Sequence, residues 1–186
     1  AFRMNYKENY LRWLNSSAVD NQTKEELKGL IDEQEIEDRF YKNLEFGTGG
    51  LRGVMAAGSN RMNLYTIAKA TQGLAQYLNK HETNPTICIA YDSRNMSAEF
   101  AQEVTSVLAA NKVKVYLYES LRPVPMLSFA VRYMKASAGV VITASHNPKQ
   151  YNGYKVYGAD GAQIAGQAAD EILGYIESCD IFEDIN

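Results

Sequence analysis

The segment Thr143-Ala144-Ser145-His146-Asn147-Pro148 sets a hydroxyl beside an imidazole, directly after the apolar run Ala138-Gly139-Val140-Val141-Ile142. A strand that ends on an exposed serine is a layout for covalent chemistry on that hydroxyl. The chain has only two histidines, His81 and His146, and two cysteines, Cys88 and Cys179, so few other nucleophile–base pairs exist. Adjacent residues of an extended segment point to opposite sides, which places His146 badly as the direct base of Ser145. The G-x-S-x-G elbow of hydrolases is also absent. Ser145 therefore reads as the carrier of a group, with His146 serving a different atom. Phosphate is the natural candidate, because it wants cations and backbone donors. Arg52, Arg94, Lys149 and Lys155 offer the cations.

The donors come from the stretch Phe46 to Gly58, which holds Gly47, Gly49, Gly50, Gly53 and Gly58 of the thirteen glycines. That density predicts a loop with exposed amides. Its Gly47-Thr48-Gly49-Gly50 does not match G-x-x-x-x-G-K-[ST], which argues against a nucleotide P-loop.

The elements that must position these residues alternate. Residues 5–45 read as helices: Tyr6, Tyr10, Trp13 and Leu14 recur at helical spacing, Thr23 and Glu26 form a capping box, and Glu33 to Leu44 makes a further helical stretch. Helices are predicted from Asn63 to Lys80, from a Ser97 cap to Ala110, from Pro125 to about Lys135 and from Ala168 to Ser178. Strands are predicted at Thr86 to Tyr91, Val113 to Tyr118 and Ala138 to Thr143. A hairpin joins Tyr154–Tyr157 to Ala162–Ile164, and Asn152-Gly153 reads as a tight turn that swings Lys155 toward Ser145. His81 reads as a partner of its helix's C-terminal dipole.

The fold class is thus α/β: a mixed, mostly parallel sheet flanked by helices, with extra N-terminal helices. Ligands of such sheets gather beyond the carboxyl ends of the strands. Two of those ends carry polar clusters, Asp92-Ser93-Arg94 and Ser145-His146-Asn147.

Bulk properties bound the partners. At 186 residues the chain suits one domain, 1–186, with helices over 1–45 and an α/β core over 46–186. A net charge of −3 gives no reason to expect nucleic acid. No apolar run approaches a membrane span, and the polar N-terminus is no secretory signal. Cys88 lies in a strand-like run and reads as a reduced core thiol, so a cytoplasmic setting is expected.

Three ordered motifs carry a more specific signal. Phe46-Gly47-Thr48-Gly49-Gly50-Leu51-Arg52-Gly53, Tyr91-Asp92-Ser93-Arg94 and the Ser145 segment followed by Tyr151-Asn152-Gly153-Tyr154-Lys155 resemble the α-D-phosphohexomutase family. From Leu121 to Ile164 the chain is most similar to its phosphoglucomutase/phosphopentomutase branch. The resemblance implies the family's first domain. It implies a mutase that interconverts sugar 1-phosphates and 6-phosphates through a phosphoserine enzyme and a bisphosphate intermediate. Ser145 matches the phosphoserine, and Arg52 and Lys155 match the residues that steady the phosphoryl group or handle the hydroxyl proton. His146 is the other candidate for that proton. Thr48, Gly49, Arg94, Asn147 and Lys149 are expected to bind phosphate or substrate. Mg2+ would bind through the phosphate of Ser145, and glucose 1,6-bisphosphate would be the activator. The family's D-G-D-x-D metal loop and its sugar-binding domains are not in this sequence, so the partners expected are the phosphosugar and the remaining domains of the same enzyme. A phosphopentomutase, a sugar-bisphosphate synthase and a non-catalytic phosphosugar-binding module stand as alternatives.

Overall fold

The computed structural model describes residues 3–93, 95–118, 124–143 and 147–185, the side chains of Val124 and Pro125 excepted. Three short helices come first, α1 (Tyr6–Asn15), α2 (Asn21–Lys28) and α3 (Glu33–Phe40). Asn5, Asp20 and Asp32 cap them, each side chain accepting from backbone N–H groups of the first turn. The cap of α2 is therefore Asp20, and the Thr23–Glu26 capping box does not form. Glu26 instead reaches Arg39 at 2.7 Å and accepts from the backbone N–H of Ala57 at 2.8 Å. The third helix stops at Phe40, short of the predicted Leu44.

These helices close over their own core of Trp13, Val19, Leu27, Ile36, Phe40 and Ala57. Trp13 is fully buried and meets Phe40, Tyr65 and Phe182 edge-to-face, with centroids 5.3–5.7 Å apart. Truncation of this side chain leaves a cavity where three elements are tied together. Trp13→Ala is expected to cost about 3–5 kcal/mol, read as a lower urea midpoint at unchanged m-value.

A five-stranded sheet follows, built from β1 (Gly50–Val54), β2 (Thr86–Tyr91), β3 (Lys114–Tyr118), β4 (Ala138–Ile142) and β5 (Tyr151–Gly158) in the order β1-β5-β4-β2-β3. β2 pairs parallel with β3 and β4, and β5 pairs antiparallel with β4 and β1. Four strands thus share one direction and β5 opposes them, the mixed, mostly parallel sheet that the alternation predicts. Between them lie α4 (Leu64–His81), α5 (Ser97–Ala110) and α6 (Val124–Tyr133), and α7 (Gly166–Ser178) follows β5. Strand alternation splits the core in two. Ile87, Ile89, Val140, Ile142, Tyr154 and Val156 pack under α4, α5 and α7. Cys88, Ala90, Val141 and Tyr157 pack under Leu127 and Val131 of α6.

Several local readings are corrected. The glycine stretch is not all loop, because Gly50–Val54 forms β1. Its glycines serve close approach: a Cβ at Gly50 would lie 2.2 Å from the carbonyl oxygen of Tyr154 across the ladder. Asn152-Gly153 is not a turn but the interior of β5, opposite Gly53 and Arg52. The second arm of the predicted hairpin is a single bridge, Tyr157 to Gln163. Ser97 is the first helical residue of α5 rather than its cap; Met96 holds the cap position at φ +69 with no side-chain bond. His81 closes α4 as expected, where Nε2 meets Glu171 of α7 at 2.9 Å.

Candidate functional site

After β2 the chain passes through α5 to β3 on one side, and after β3 through α6 to β4 on the other. The switch falls at the carboxyl ends of β2 and β4, where doubly wound sheets bind ligands. Asp92 and Thr143 stand there, and the backbone N–H of Asp92 donates to the carbonyl of Ile142 at 3.2 Å. The strands that lead into both polar clusters therefore end side by side. Ser145, His146 and Arg94 lie outside the described residues.

Arg52 and Lys155 do come together. Arg52 sits opposite Gly153 and Lys155 opposite Gly50, so the two are diagonal neighbours on adjacent strands. Each is flanked by residues of the α4/α5/α7 core, Leu51 for Arg52 and Tyr154 and Val156 for Lys155. By the pleat, both cations belong to the opposite face. On that face α6 packs over β2 and β4. The β1/β5 end holds a cleft of about 550 Å3 lined by Thr48, Arg52, Thr143, Asn147 and Lys155. Arg52 Nη1 donates to Asn147 Oδ1 at 3.1 Å. Thr143 and Asn147 bracket Ser145 in the sequence, so both feet of the serine segment face this cleft.

The backbone that builds the cleft leaves little freedom. Gly49 adopts φ +73, and a Cβ there would lie 2.3 Å from the carbonyl oxygen of Ile164. Its loop is tied down by Gln163, whose Nε2 donates to the carbonyl of Thr48 at 2.9 Å. Beneath Lys155, the fully buried Tyr154 shares a 3.1 Å hydrogen bond with Thr71 of α4. Burial holds its phenol well above the ordinary tyrosine range, the Thr71 contact opposing only in part. Tyr154 is thus a neutral peg fixing β5, and with it Lys155, to the helix below.

Gly153 joins the serine segment to this frame. Its carbonyl accepts from the Thr143 N–H at 3.0 Å, and a Cβ would lie 2.5 Å from the Thr143 carbonyl oxygen. Gly153→Ala must push the two strand ends apart. The expected result is a loss of about 2–4 kcal/mol in stability, visible as a lower melting temperature, with faster amide exchange at Thr143 than in β2.

Lys149 is not brought into this group. It is exposed and lines a separate cleft of about 830 Å3 with Asp92, Ser93 and Gln150. Sequence reasoning gives Asn152 only a loop-shaping part. It is fully buried, donating through Nδ2 to Ser97 Oγ at 3.0 Å and accepting the Gly153 N–H through Oδ1 at 2.8 Å. No local signal marks it, since its partner is 55 residues away. Among the described residues no three of His, Cys, Asp or Glu gather as a metal site, and no helix is long and apolar enough to cross a membrane.

Known proteins resemble this arrangement. The family model described as phosphoglucomutase/phosphomannomutase, alpha/beta/alpha domain I, matches residues 43–181. A phosphoglucomutase of Staphylococcus aureus strain bovine RF122 / ET3-1 is 51% identical over 143 residues, covering 77% of this chain and 26% of that protein. Another, from S. aureus strain MRSA252, is 46% identical over 92% of this chain and 30% of its own length. A solved structure from Thermus thermophilus, described as a phosphomannomutase, superposes with a TM-score of 0.68 at 34% identity, over 73% of this chain and 30% of that one. The Paramecium phosphoprotein pp63/parafusin shares the fold at 21% identity, with a TM-score of 0.61 over 73% of this chain and 25% of its own. The chain spans about a quarter of the length of the curated relatives it matches. The chain belongs to the phosphoglucomutase/phosphomannomutase family, with residues 43–181 matching its alpha/beta/alpha domain I.

Proposed function

We propose that this chain is the phosphoryl-carrying domain of a phosphosugar mutase that interconverts sugar 1-phosphate and 6-phosphate. The observation that carries the reading is the single cleft shared by Arg52, Lys155, Thr143 and Asn147, two cations set beside the two feet of the Ser145 segment. Family membership supports the same class of chemistry.

In this reading Ser145 carries a phosphoryl group. A hydroxyl of the bound sugar monophosphate attacks its phosphorus. The bond from phosphorus to Ser145 Oγ breaks as the new P–O bond forms; the attacking hydroxyl gives its proton to Lys155 or His146, and the departing Ser145 Oγ takes up a proton to become the free hydroxyl. The bisphosphate so formed turns over in the site, and its other phosphoryl group returns to Ser145. Arg52 holds the equatorial oxygens during transfer, where a fixed guanidinium in place before the reaction costs no reorganisation. Thr48 and Gly49 supply backbone donors to phosphate, and Arg94, Asn147 and Lys149 contact phosphate or substrate, Lys149 from the far side of the segment. Glucose 1,6-bisphosphate primes Ser145.

Mg2+, bound through the phosphate of Ser145, would neutralise charge when present. The described residues form no metal site by themselves, and no step here is routed through the ion. The sugar-binding and metal-loop parts belong to other domains of the same enzyme, which works in the cytoplasm. The test is an assay of the full-length protein with glucose 1-phosphate, mannose 1-phosphate and ribose 1-phosphate, with and without glucose 1,6-bisphosphate. Bisphosphate-dependent formation of a hexose 6-phosphate is expected, and absence of turnover on every sugar phosphate sinks the reading.

A further inference from the structure

The buried polar chain behind the serine segment has no part in the chemistry above, yet it joins the strand ends that carry that segment. Asn152 of β5 and Ser97 of α5 are both fully buried. Asn152 Nδ2 donates to Ser97 Oγ at 3.0 Å, and Ser97 Oγ donates to Asp92 Oδ1 at 2.7 Å. The Asp92 N–H bonds the end of β4 through Ile142, while the Asn152 side chain closes on the N–H of Gly153, whose carbonyl holds Thr143. The three strand ends at the switch point are thus linked through two side chains and one carboxylate.

We propose that Asn152 and Ser97 are positioning residues, which hold the Asp92 carboxylate and the base of the 143–153 segment in one arrangement during phosphoryl transfer. The inference rests on the mutase reading. Three physical points support it. Ser97 has one hydroxyl proton, and of its two side-chain partners the Asn152 amide N–H can only donate, so that proton goes to Asp92. A hydroxyl bonded to a carboxylate is a charge-assisted contact, stronger than a neutral one. A buried network with every member satisfied fixes one geometry, whereas a half-satisfied one does not. Asp92 also lines the cleft that Lys149 enters, so its orientation sets the charge on the side of the segment away from Arg52 and Lys155.

The test uses the full-length enzyme with Ser97→Ala, the isosteric Asn152→Asp, and the two combined. Ser97→Ala removes one oxygen, the atom that links Asn152 Nδ2 to Asp92 Oδ1. The expected result is a fall in kcat of about tenfold in the folded enzyme, with KM within about twofold of wild type, beside a lower unfolding midpoint from the buried Asn152 donor left without Ser97. Asn152→Asp, which takes the donor away from Ser97, should lose as much in kcat, and the double variant should lose no more than the worse single one. A purely structural role would lower the unfolding midpoint and leave the kcat of the folded fraction intact. Wild-type kcat in folded Ser97→Ala, or losses that multiply in the double variant, would overturn the proposal. A wild-type enzyme that glucose 1,6-bisphosphate cannot phosphorylate would instead overturn the mutase reading, and this inference with it.

Discussion

Ser145→Ala in the full-length enzyme loses turnover by a factor on the order of 10^5, because removal of a covalent carrier leaves only binding and electrostatic assistance. In the proposed mechanism the substituted oxygen is the atom that bonds phosphorus, so no neighbouring group takes its place. Asn147 is not reactive, and its amide is already engaged by Arg52 at 3.1 Å. Substrate binding should survive, with Kd for glucose 1-phosphate changed by less than about threefold if serine binds the ground state weakly. Steady-state kinetics and isothermal titration on the same preparation separate the two. Turnover near wild type would remove Ser145 from the mechanism.

Lys155→Met comes second, with a fall in kcat of about 10^2–10^3 and KM within a few fold. The change keeps the stem that packs along β5, between Gly50 and Val141 of the flanking strands, and removes only the ammonium. The effect on fold should therefore be small, and the melting temperature reports it. The pH–rate profile decides the open assignment of the proton. If Lys155 takes it, the profile of Lys155→Met loses a limb that His146→Ala keeps. If His146 takes it, the losses are exchanged. Arg52→Lys complements the pair. A point charge cannot span two phosphate oxygens and also hold Asn147 as the planar fork does, so this exchange should not restore the rate.

Much of the frame behind these predictions can be read in the sequence. Periodicity finds α4 from Leu64 and β2 at Thr86–Tyr91, because long amphipathic faces and buried β-branched runs are local signals. The mixed sheet follows from helix–strand alternation that ends in strand–strand pairing. Asn152-Gly153 misleads for a physical reason. The dipeptide favours a tight turn in isolation, but here Gly153 lets the Thr143 carbonyl approach and Asn152 has a buried partner on α5. Both are tertiary demands with no local trace. The glycine stretch misleads in the same way, its Gly50 being required by the carbonyl of Tyr154 across the ladder and not by a turn.

The site is legible to a different extent. Residue type and motif single out Arg52 and Lys155, yet their meeting depends on a register in which Gly50 faces Lys155. A shift of one residue between β1 and β5 would turn one of the two side chains to the opposite face and part them. Lys149 looks equivalent to them, being only four positions from Ser145, but it lines the other cleft. Ser97 reads as a helix cap because serine favours that place; its hydroxyl goes instead to Asp92, a partner that only the packed structure supplies.

The central claim is that Ser145 carries the phosphoryl group, and intact mass spectrometry of the full-length enzyme tests it most directly. After incubation with glucose 1,6-bisphosphate and removal of excess ligand, a gain of one phosphoryl group, about 80 Da, is expected, with the modified peptide mapping to Ser145. That gain should disappear when glucose 1-phosphate or glucose 6-phosphate is added and accepts the group. An unmodified mass throughout, or a phosphoryl group mapping to any other residue, would contradict it.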